Sequence, residues 1–298
     1  MTEPEADELS PSEAFSLVAN DTRFAILQAL WDAGNDDADP VAFSELRERA
    51  GVRDSGQFNY HLDQLTPRFV RPLADGYELT YAGEQVVGAA VSGVYTEADA
   101  YEVEPMPVGT CQACGGTIEG GYRRGHIAIE CVDCEAVFTN LPAPPVLAAG
   151  YDADALPLVF SRRLLTAITT LNRGFCELCG GRVDRSVAES WLERDDEDPL
   201  GIEYTCRACG RTVHAVVGAA LLDHPAVVSF LFDHGVDLRE TPVWELEWLY
   251  DTNPRLASDD PRRFAVSVAV DGDAVELTLD GDLAVLDWSR TGADAGER

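Results

Sequence analysis

The sequence predicts an α+β chain built in series. A helical N-terminal third carrying one short hairpin is followed by two copies of a four-cysteine unit, each with a helix after it, and then by a small antiparallel β meander. Three observations predict this. Apolar residues recur at helical spacing through residues 12–95, all eight cysteines fall into C-x-x-C pairs that repeat in order, and residues 241–298 alternate apolar and polar between Asp-Gly turns. With 298 residues, 46% apolar and 8% aromatic, the chain has material for two or three domains with real cores. The expected divisions are an acidic disordered lead (1–11), a helical domain (12–95), two cysteine repeats with their helices (96–172 and 173–240) and a β unit with a frayed tail (241–298).

Pro11–Ser12 opens the first helix, which runs to about Ala19 with Ala14, Phe15, Leu17 and Val18 apolar. Asn20 or Asp21 caps a second, in which Phe24, Leu27 and Leu30 recur with Ile26 alongside, and Gly34 ends it. After a polar loop, Val41 to Ala50 forms a third helix with Val41, Phe43 and Leu46 inward, stopped at Gly51. Asp54 caps the fourth, and Gln57 three residues on is placed to complete a capping box. Phe58, Leu62 and Leu65 make its buried face. The opposite face displays Ser55, Gly56, Gln57, Asn59 and Tyr60, small or hydrogen-bonding groups where an ordinary solvated helix carries Glu and Arg. Pro67 ends it. Strands near Phe69–Leu73 and Tyr77–Thr80 meet at the turn Ala74-Asp75-Gly76, and a helix from Tyr81 to about Val94 closes the unit.

That order of elements is the order of a winged helix-turn-helix domain, and the residues resemble the ArsR-type family of prokaryotic regulators. Asn20-Asp21-Thr22-Arg23-Phe24-Ala25-Ile26-Leu27 is similar to the family's N-terminal D-x-T-R-x-x-I-L signature, and Phe43-Ser44-Glu45-Leu46 to its first helix-turn-helix helix. Phe58-Asn59-Tyr60-His61-Leu62-Asp63-Gln64-Leu65 resembles its recognition helix. Gly76-Tyr77-Glu78-Leu79-Thr80, then Gly83, resembles its wing and the helix beyond. The resemblance covers residues 12–95. It implies a homodimer on a two-fold site in double-stranded DNA, paired through the outer helices Ser12–Ala19 and Tyr81–Val94. A helix in the major groove offers the exposed side chains of its N-terminal part to base edges, which makes Gln57, Asn59 and Tyr60 the expected readers. Ser55 and Gly56 at the helix start suit a phosphate. Arg53, Arg68 and Arg71 are expected on the DNA backbone and the wing. His61 either packs under the wing or touches phosphate. Metal-sensing members carry cysteines in the first helix-turn-helix helix; residues 41–50 have none, so arsenic or cadmium sensing there is not expected. The competing use of such a domain is protein contact alone.

Charge supports nucleic acid. The chain carries 22 basic against 53 acidic residues, a formal −31, and every basic residue is arginine. An acidic surface without lysine resembles the solvent adaptation of a molar-salt cytoplasm such as that of haloarchaea, where the Debye length is only about 3 Å and self-repulsion is cheap; the competing reading is an acidic protein that avoids nucleic acid. In molar salt −31 does not exclude DNA. Within 41–72 the acidity is relieved: Arg47, Arg49, Arg53, Arg68 and Arg71 outnumber Glu45, Glu48, Asp54 and Asp63.

The cysteines form a duplicated pattern. Cys111-Gln112-Ala113-Cys114-Gly115-Gly116 corresponds to Cys176-Glu177-Leu178-Cys179-Gly180-Gly181, and Cys131-Val132-Asp133-Cys134 to Cys206-Arg207-Ala208-Cys209. The longer spacing in the second copy is taken up by an acidic insert around 192–200. Pro157 and Pro225 open equivalent helices after each copy. Two C-x-x-C knuckles on a small hairpin unit are the pattern of a zinc ribbon, so two zinc ions are expected, one per four-cysteine site. Glycine after Cys114, Cys179 and Cys209 suits the left-handed turn of a knuckle; Glu135 after Cys134 departs from it. Each ribbon is too small to fold on its own core, so metal binding is folding energy. A thiol–disulfide enzyme would need one such pair at a helix start rather than four in duplicate, and a zinc closed off by four thiolates is poorly suited to catalysis. His126 and His214 are not counted as ligands. His224 is expected at a helix start and His234 at a helix end.

In the last region, Val243–Leu249, Phe264–Val270, Ala274–Leu279 and Leu283–Trp288 are expected as four strands, with Trp244, Trp248, Val266, Val268, Val270, Val275, Leu277 and Leu279 on one packed face. No apolar run spans a membrane and the first residues are not a signal peptide, so a cytoplasmic protein is expected. Together these features predict a DNA-binding transcriptional regulator without catalytic activity. The alternative is a zinc-ribbon adaptor that docks a protein, such as the transcription machinery, or RNA.

Overall fold

The computed structural model describes residues 9–36, 40–97, 101–189, 200–252 and 254–291. It is mixed α and β, with antiparallel sheets of two, four, three and four strands. The chain divides into two compact units, Met1–Tyr101 with Pro144–Leu147, and Glu102–Ala143 with Ala148–Arg298. No helix among the described residues is long and apolar enough to cross a membrane.

In the first unit, α1 (Pro11–Val18) begins at a reciprocal cap: Ser10 Oγ accepts the Glu13 N–H and the Glu13 carboxylate accepts the Ser10 N–H. The helix and its cap therefore begin within the stretch expected as a disordered lead; residues 1–8 lie outside the described residues. Asn20 Oδ1 accepts the Arg23 N–H and starts α2 (Asp21–Asp36). This helix runs through Gly34 instead of stopping there. A helical glycine costs only about 1 kcal/mol, and the neighbouring burial of Leu27, Leu30 and Ala33 outweighs it. The third helix, α3 (Phe43–Arg49), is shorter than the sequence predicts, because Val41 is not helical. Val41 pairs with Tyr77 as an antiparallel bridge, its N–H and C=O both bonded at 2.9 Å. The bridge satisfies the Val41 N–H, which the first turn of a helix would leave open.

Gly51, with φ of 69°, turns the chain into α4 (Ser55–Leu65). Asp54 caps this helix by accepting the Gln57 N–H at 2.7 Å, while the Gln57 side chain stays exposed. Strands β1 (Val70–Pro72) and β2 (Tyr77–Leu79) pair Val70 with Leu79 and Pro72 with Tyr77. Gly76 is required at their turn, since a Cβ there would lie 2.5 Å from the Val41 carbonyl oxygen. α5 (Tyr81–Val91) is capped by Thr80, whose hydroxyl accepts the Gly83 N–H and donates to the Arg68 carbonyl. One core of Ile26, Leu27, Leu46, Phe58, Leu62, Leu65 and Val87 joins these helices. Phe43 meets Phe58 edge-on at 5.0 Å and so fixes α3 against α4.

The second unit opens with β3 (Val103–Thr110), β4 (Thr117–Arg123), β5 (His126–Cys131) and β6 (Val137–Pro142), hydrogen-bonded in that order. After α6 (Pro145–Ala149) comes α7 (Leu156–Asn172), then the second sheet of β7 (Val183–Glu189), β8 (Leu200–Cys206) and β9 (Thr212–Val216). The duplication is visible in register: Ile118 pairs with Cys131 in one copy, and Val183 with Cys206 in the other. The acidic insert falls between β7 and β8, where residues 190–199 lie outside the described residues. A 3-10 turn (Val217–Leu221) leads into α8 (Pro225–Asp233), with His224 at its start and His234 at its end as expected.

The segment Val243–Leu249 is not a strand. It forms a 3-10 turn (Val243–Glu245) and the short helix α9 (Glu247–Asp251), joined by extended Leu246. Val243, Trp244, Leu246, Trp248 and Leu249 are all buried and only Glu245 and Glu247 point out, so two short helical turns mimic strand alternation. Trp244 Nε1–H donates to the Val108 carbonyl at 3.0 Å, and Ser161 Oγ accepts the Val243 N–H at 2.8 Å. The fourth strand of the meander is instead β10 (Arg255–Asp259), followed by β11 (Arg262–Val270), β12 (Asp273–Asp280) and β13 (Val285–Thr291). Val266, Val268, Val275, Leu277 and Leu279 are buried as expected. They share one core with α8, α9 and the second cysteine repeat, including Trp248. The tail from 292 onward lies outside the described residues.

Candidate metal centres and nucleic-acid interface

Each hairpin pair brings two C-x-x-C turns face to face. Cys111 and Cys134 Sγ are 3.8 Å apart and Cys114 and Cys131 3.6 Å; in the second copy Cys176 and Cys209 are 3.8 Å apart and Cys179 and Cys206 3.6 Å. All four sulfurs of each group lie within 4.8 Å of one another. A tetrahedron with metal–sulfur bonds of about 2.3 Å has edges of about 3.8 Å, whereas a disulfide needs about 2.05 Å. All eight cysteines are free thiols, one of each C-x-x-C pair buried and the other exposed. Both groups therefore have the size of a tetrahedral metal site.

The local backbone explains how the sequence makes them. Gly115, Gly180 and Gly210 have φ of 74°, 69° and 73°, the left-handed turn that follows a knuckle cysteine. Glu135 occupies the same conformation at 59°, so the irregular fourth knuckle keeps the turn with a residue poorly suited to it. Backbone N–H groups point at sulfur, as Gly116 does at Cys114 (3.4 Å). Cys131 is drawn down to about 7 chiefly by the Cys134 N–H, and Cys206 to about 6 chiefly by the Cys209 N–H. Cys114 and Cys179 keep the Gly116 and Gly181 N–H groups that pull them down. Facing sulfurs, those of Cys134 and Cys206 first, nevertheless push each up to about 12. Four thiols this close ionise together only with a cation between them. His126 bonds the Arg124 carbonyl and His214 faces Glu203; neither belongs to a cluster. Sequence reasoning passed over Asp133, whose carboxylate accepts the Thr117 N–H at 2.9 Å and bridges the two knuckles, and over Asp184, which pairs with Arg207 in the second copy. Gly116 was the available signal for Asp133: a Cβ there would lie 2.3 Å from that carboxylate.

In the first unit, Phe58, Leu62 and Leu65 seat α4 in the core, and Ser55, Gly56, Gln57, Asn59 and Tyr60 emerge together on its exposed side. Tyr60 is 61% exposed, its ring edge-on to His61 at 5.3 Å. His61 is half-buried, and its Nδ1 is buried without a hydrogen-bond partner. Asn59 donates to Asp63 at 2.9 Å, so one expected reader is held by a carboxylate on its own helix. Arg53 is exposed, and its carbonyl accepts from Arg47, which ties the turn before α4. Arg71 pairs with Glu78 across the hairpin (Nε to Oε1, 2.6 Å), and half-buried Arg68 lies at the hairpin's base.

Fold and site together define a mixed α and β chain of two compact units, the second carrying two tetracysteine centres built to hold metal ions. Residues 108–285, which contain both centres, match the family DUF7351, described as a domain of unknown function. That match spans more than half of the chain, and the chain belongs to this family. Residues 11–90 match a second domain of unknown function, DUF7347. No curated protein matches the chain.

Proposed function

We propose that the protein is a DNA-binding transcriptional regulator, an ArsR-like winged helix-turn-helix joined to two zinc ribbons. In this reading α3 and α4 are the helix-turn-helix pair and β1–β2 the wing. The observation that carries it is the two-sided character of α4: an apolar side locked in the core, and an exposed side of Ser55, Gln57, Asn59 and Tyr60 flanked by Arg53, Arg68 and Arg71. Gln and Asn pair bidentately with adenine edges in a major groove, and Ser55 with the helix start holds a phosphate. His61, half-buried beside Tyr60, is a positioning residue under the reading face. In molar salt the counterion-release contribution is small, so specificity rests on groove contacts. A second copy pairs through α1 and α5, where Phe15 is 66% and Tyr81 75% exposed.

Zinc is the metal that an all-thiolate tetrahedral site of this size selects. The cysteine ligands fill the coordination sphere, so the ions hold the second unit together and the mechanism is occupancy of a DNA site rather than catalysis.

The test is chromosomal occupancy of a tagged chain in cells at native salt. A few sharp sites sharing a two-fold motif are expected. A flat profile from folded, abundant protein overturns the reading in favour of the docking adaptor, which one observation supports: Val132, Phe175 and Leu178 are exposed apolar residues on or beside the knuckles.

A further inference from the structure

A cavity of about 950 Å³ lies within the second unit between β6 and β9, the outer strands of the two cysteine-bearing sheets. This is the size of a small-molecule site, roughly 300–1,000 Å³. Its walls are mostly apolar, with Phe138, Leu164, Val213 and Tyr250 among them, and the rings of Phe138 and Tyr250 meet edge-to-face at 5.4 Å.

One polar cluster interrupts these walls. The Glu177 side chain is only 11% exposed, with Arg163 at 3.5 Å and Arg211 at 3.8 Å. Arg163 faces Oε2 and Arg211 faces Oε1, both beyond the roughly 2.7–3.2 Å of an N–H···O bond; Oε2 is buried, and Oε1 with Arg211 is the pair on the cavity side. Carboxylates only accept and guanidinium groups only donate. A group that donates to Glu177 Oε1 and accepts from Arg211 bridges this long pair, and a hydroxyl does this. A ligand carboxylate would face Glu177, and an ammonium would face two arginines.

We infer that this cavity is a binding site for a small neutral phenol, its ring between the aromatic and aliphatic walls and its hydroxyl bridging Glu177 and Arg211. The site lies wholly within the second unit and does not depend on DNA binding.

The experiment is calorimetric titration of the full chain, loaded with zinc in molar KCl, with 4-propylphenol, 4-propylanisole and 4-propylbenzoate. The inference expects saturable one-site binding of the phenol, at least tenfold tighter than either of the others. Ala215→Trp, placed in the cavity lining, abolishes binding. Glu177→Ala lowers the phenol to the level of the anisole while both zinc ions are retained. Absence of saturable binding, equal affinity for phenol and anisole, or a preference for the benzoate overturns the inference, and so does binding that survives Ala215→Trp. The three-ligand comparison on the native chain decides the matter even where a variant fails to fold.

Discussion

Tyr60 and Gln57 stand on the solvent side of α4 and contribute almost nothing to the core beneath them, which makes them clean probes. On the proposed DNA-binding reading, Tyr60→Ala or Gln57→Ala is expected to weaken binding to the DNA site about 10- to 100-fold, the roughly 1–3 kcal/mol of one base contact. Stability should change by no more than about 0.5 kcal/mol. Fluorescence anisotropy at native salt, paired with thermal melts, checks both, and unchanged affinity would remove α4 as the reading element. Glu135 offers the opposite experiment. Its φ of 59° belongs to glycine, as the equivalent Gly115, Gly180 and Gly210 show. Glu135→Gly should stabilise the metal-loaded protein by up to about 1 kcal/mol of relieved backbone strain, read as a higher melting temperature; a lower one would mean the side chain has a role of its own. This departure was legible in the sequence because three of the four knuckles state the rule that the fourth breaks. The Asn59–Asp63 bond was not, since nothing in a residue string says which of several neighbours a side-chain amide will choose.

Helices and hairpins with a buried stripe were legible element by element. Asp54 caps α4 and Phe58, Leu62 and Leu65 are buried as their spacing predicts. Misreadings came where a tertiary contact outweighed local pattern. Val41 leaves its helix because Tyr77 offers two backbone hydrogen bonds, and residues 243–249 curl because Trp244 and Val243 are bonded to Val108 and Ser161. Strand β10 escaped notice for the reverse reason: its residues are almost all exposed, so no alternation marks it. At this scale the two metal centres differ. Cys176 and Cys206 sit in the core shared with α8 and the meander. Cys179→Ser should therefore lower global stability more than Cys114→Ser, while each variant loses one equivalent of zinc by elemental analysis. Equal destabilisation would contradict the shared core. Because cysteines bind metal as thiolates, acidifying the metal-loaded protein protonates them and releases the ion, so stability falls as pH falls. Circular dichroism with a zinc indicator should show the loss of structure and of metal together.

For the whole molecule, a formal −31 without lysine makes stability a matter of salt. Raising KCl from about 0.1 to 1 M shortens the Debye length from about 10 to 3 Å and removes self-repulsion, while apolar burial is not weakened. The melting temperature should therefore climb steadily with KCl; scanning calorimetry giving a flat or falling trend would refute the molar-salt reading. The series of segments was visible in composition and in the cysteine repeat. The joining of residues 102–298 into a single unit apart from 144–147 was not. That closure depends on pairs far apart in the chain, and such pairs leave no periodic trace in a sequence.

The bond from the Trp244 indole to the Val108 carbonyl spans 136 residues, and it sets a timetable for the nascent chain. At about 5–20 residues per second, a ribosome that has made Val108 needs roughly 7–27 s more to make Trp244. All four thiols of the first cluster exist long before that, so metal capture at Cys111–Cys134 can precede the arrival of the tryptophan that covers this strand. For those seconds the first cluster meets metal with this strand still uncovered.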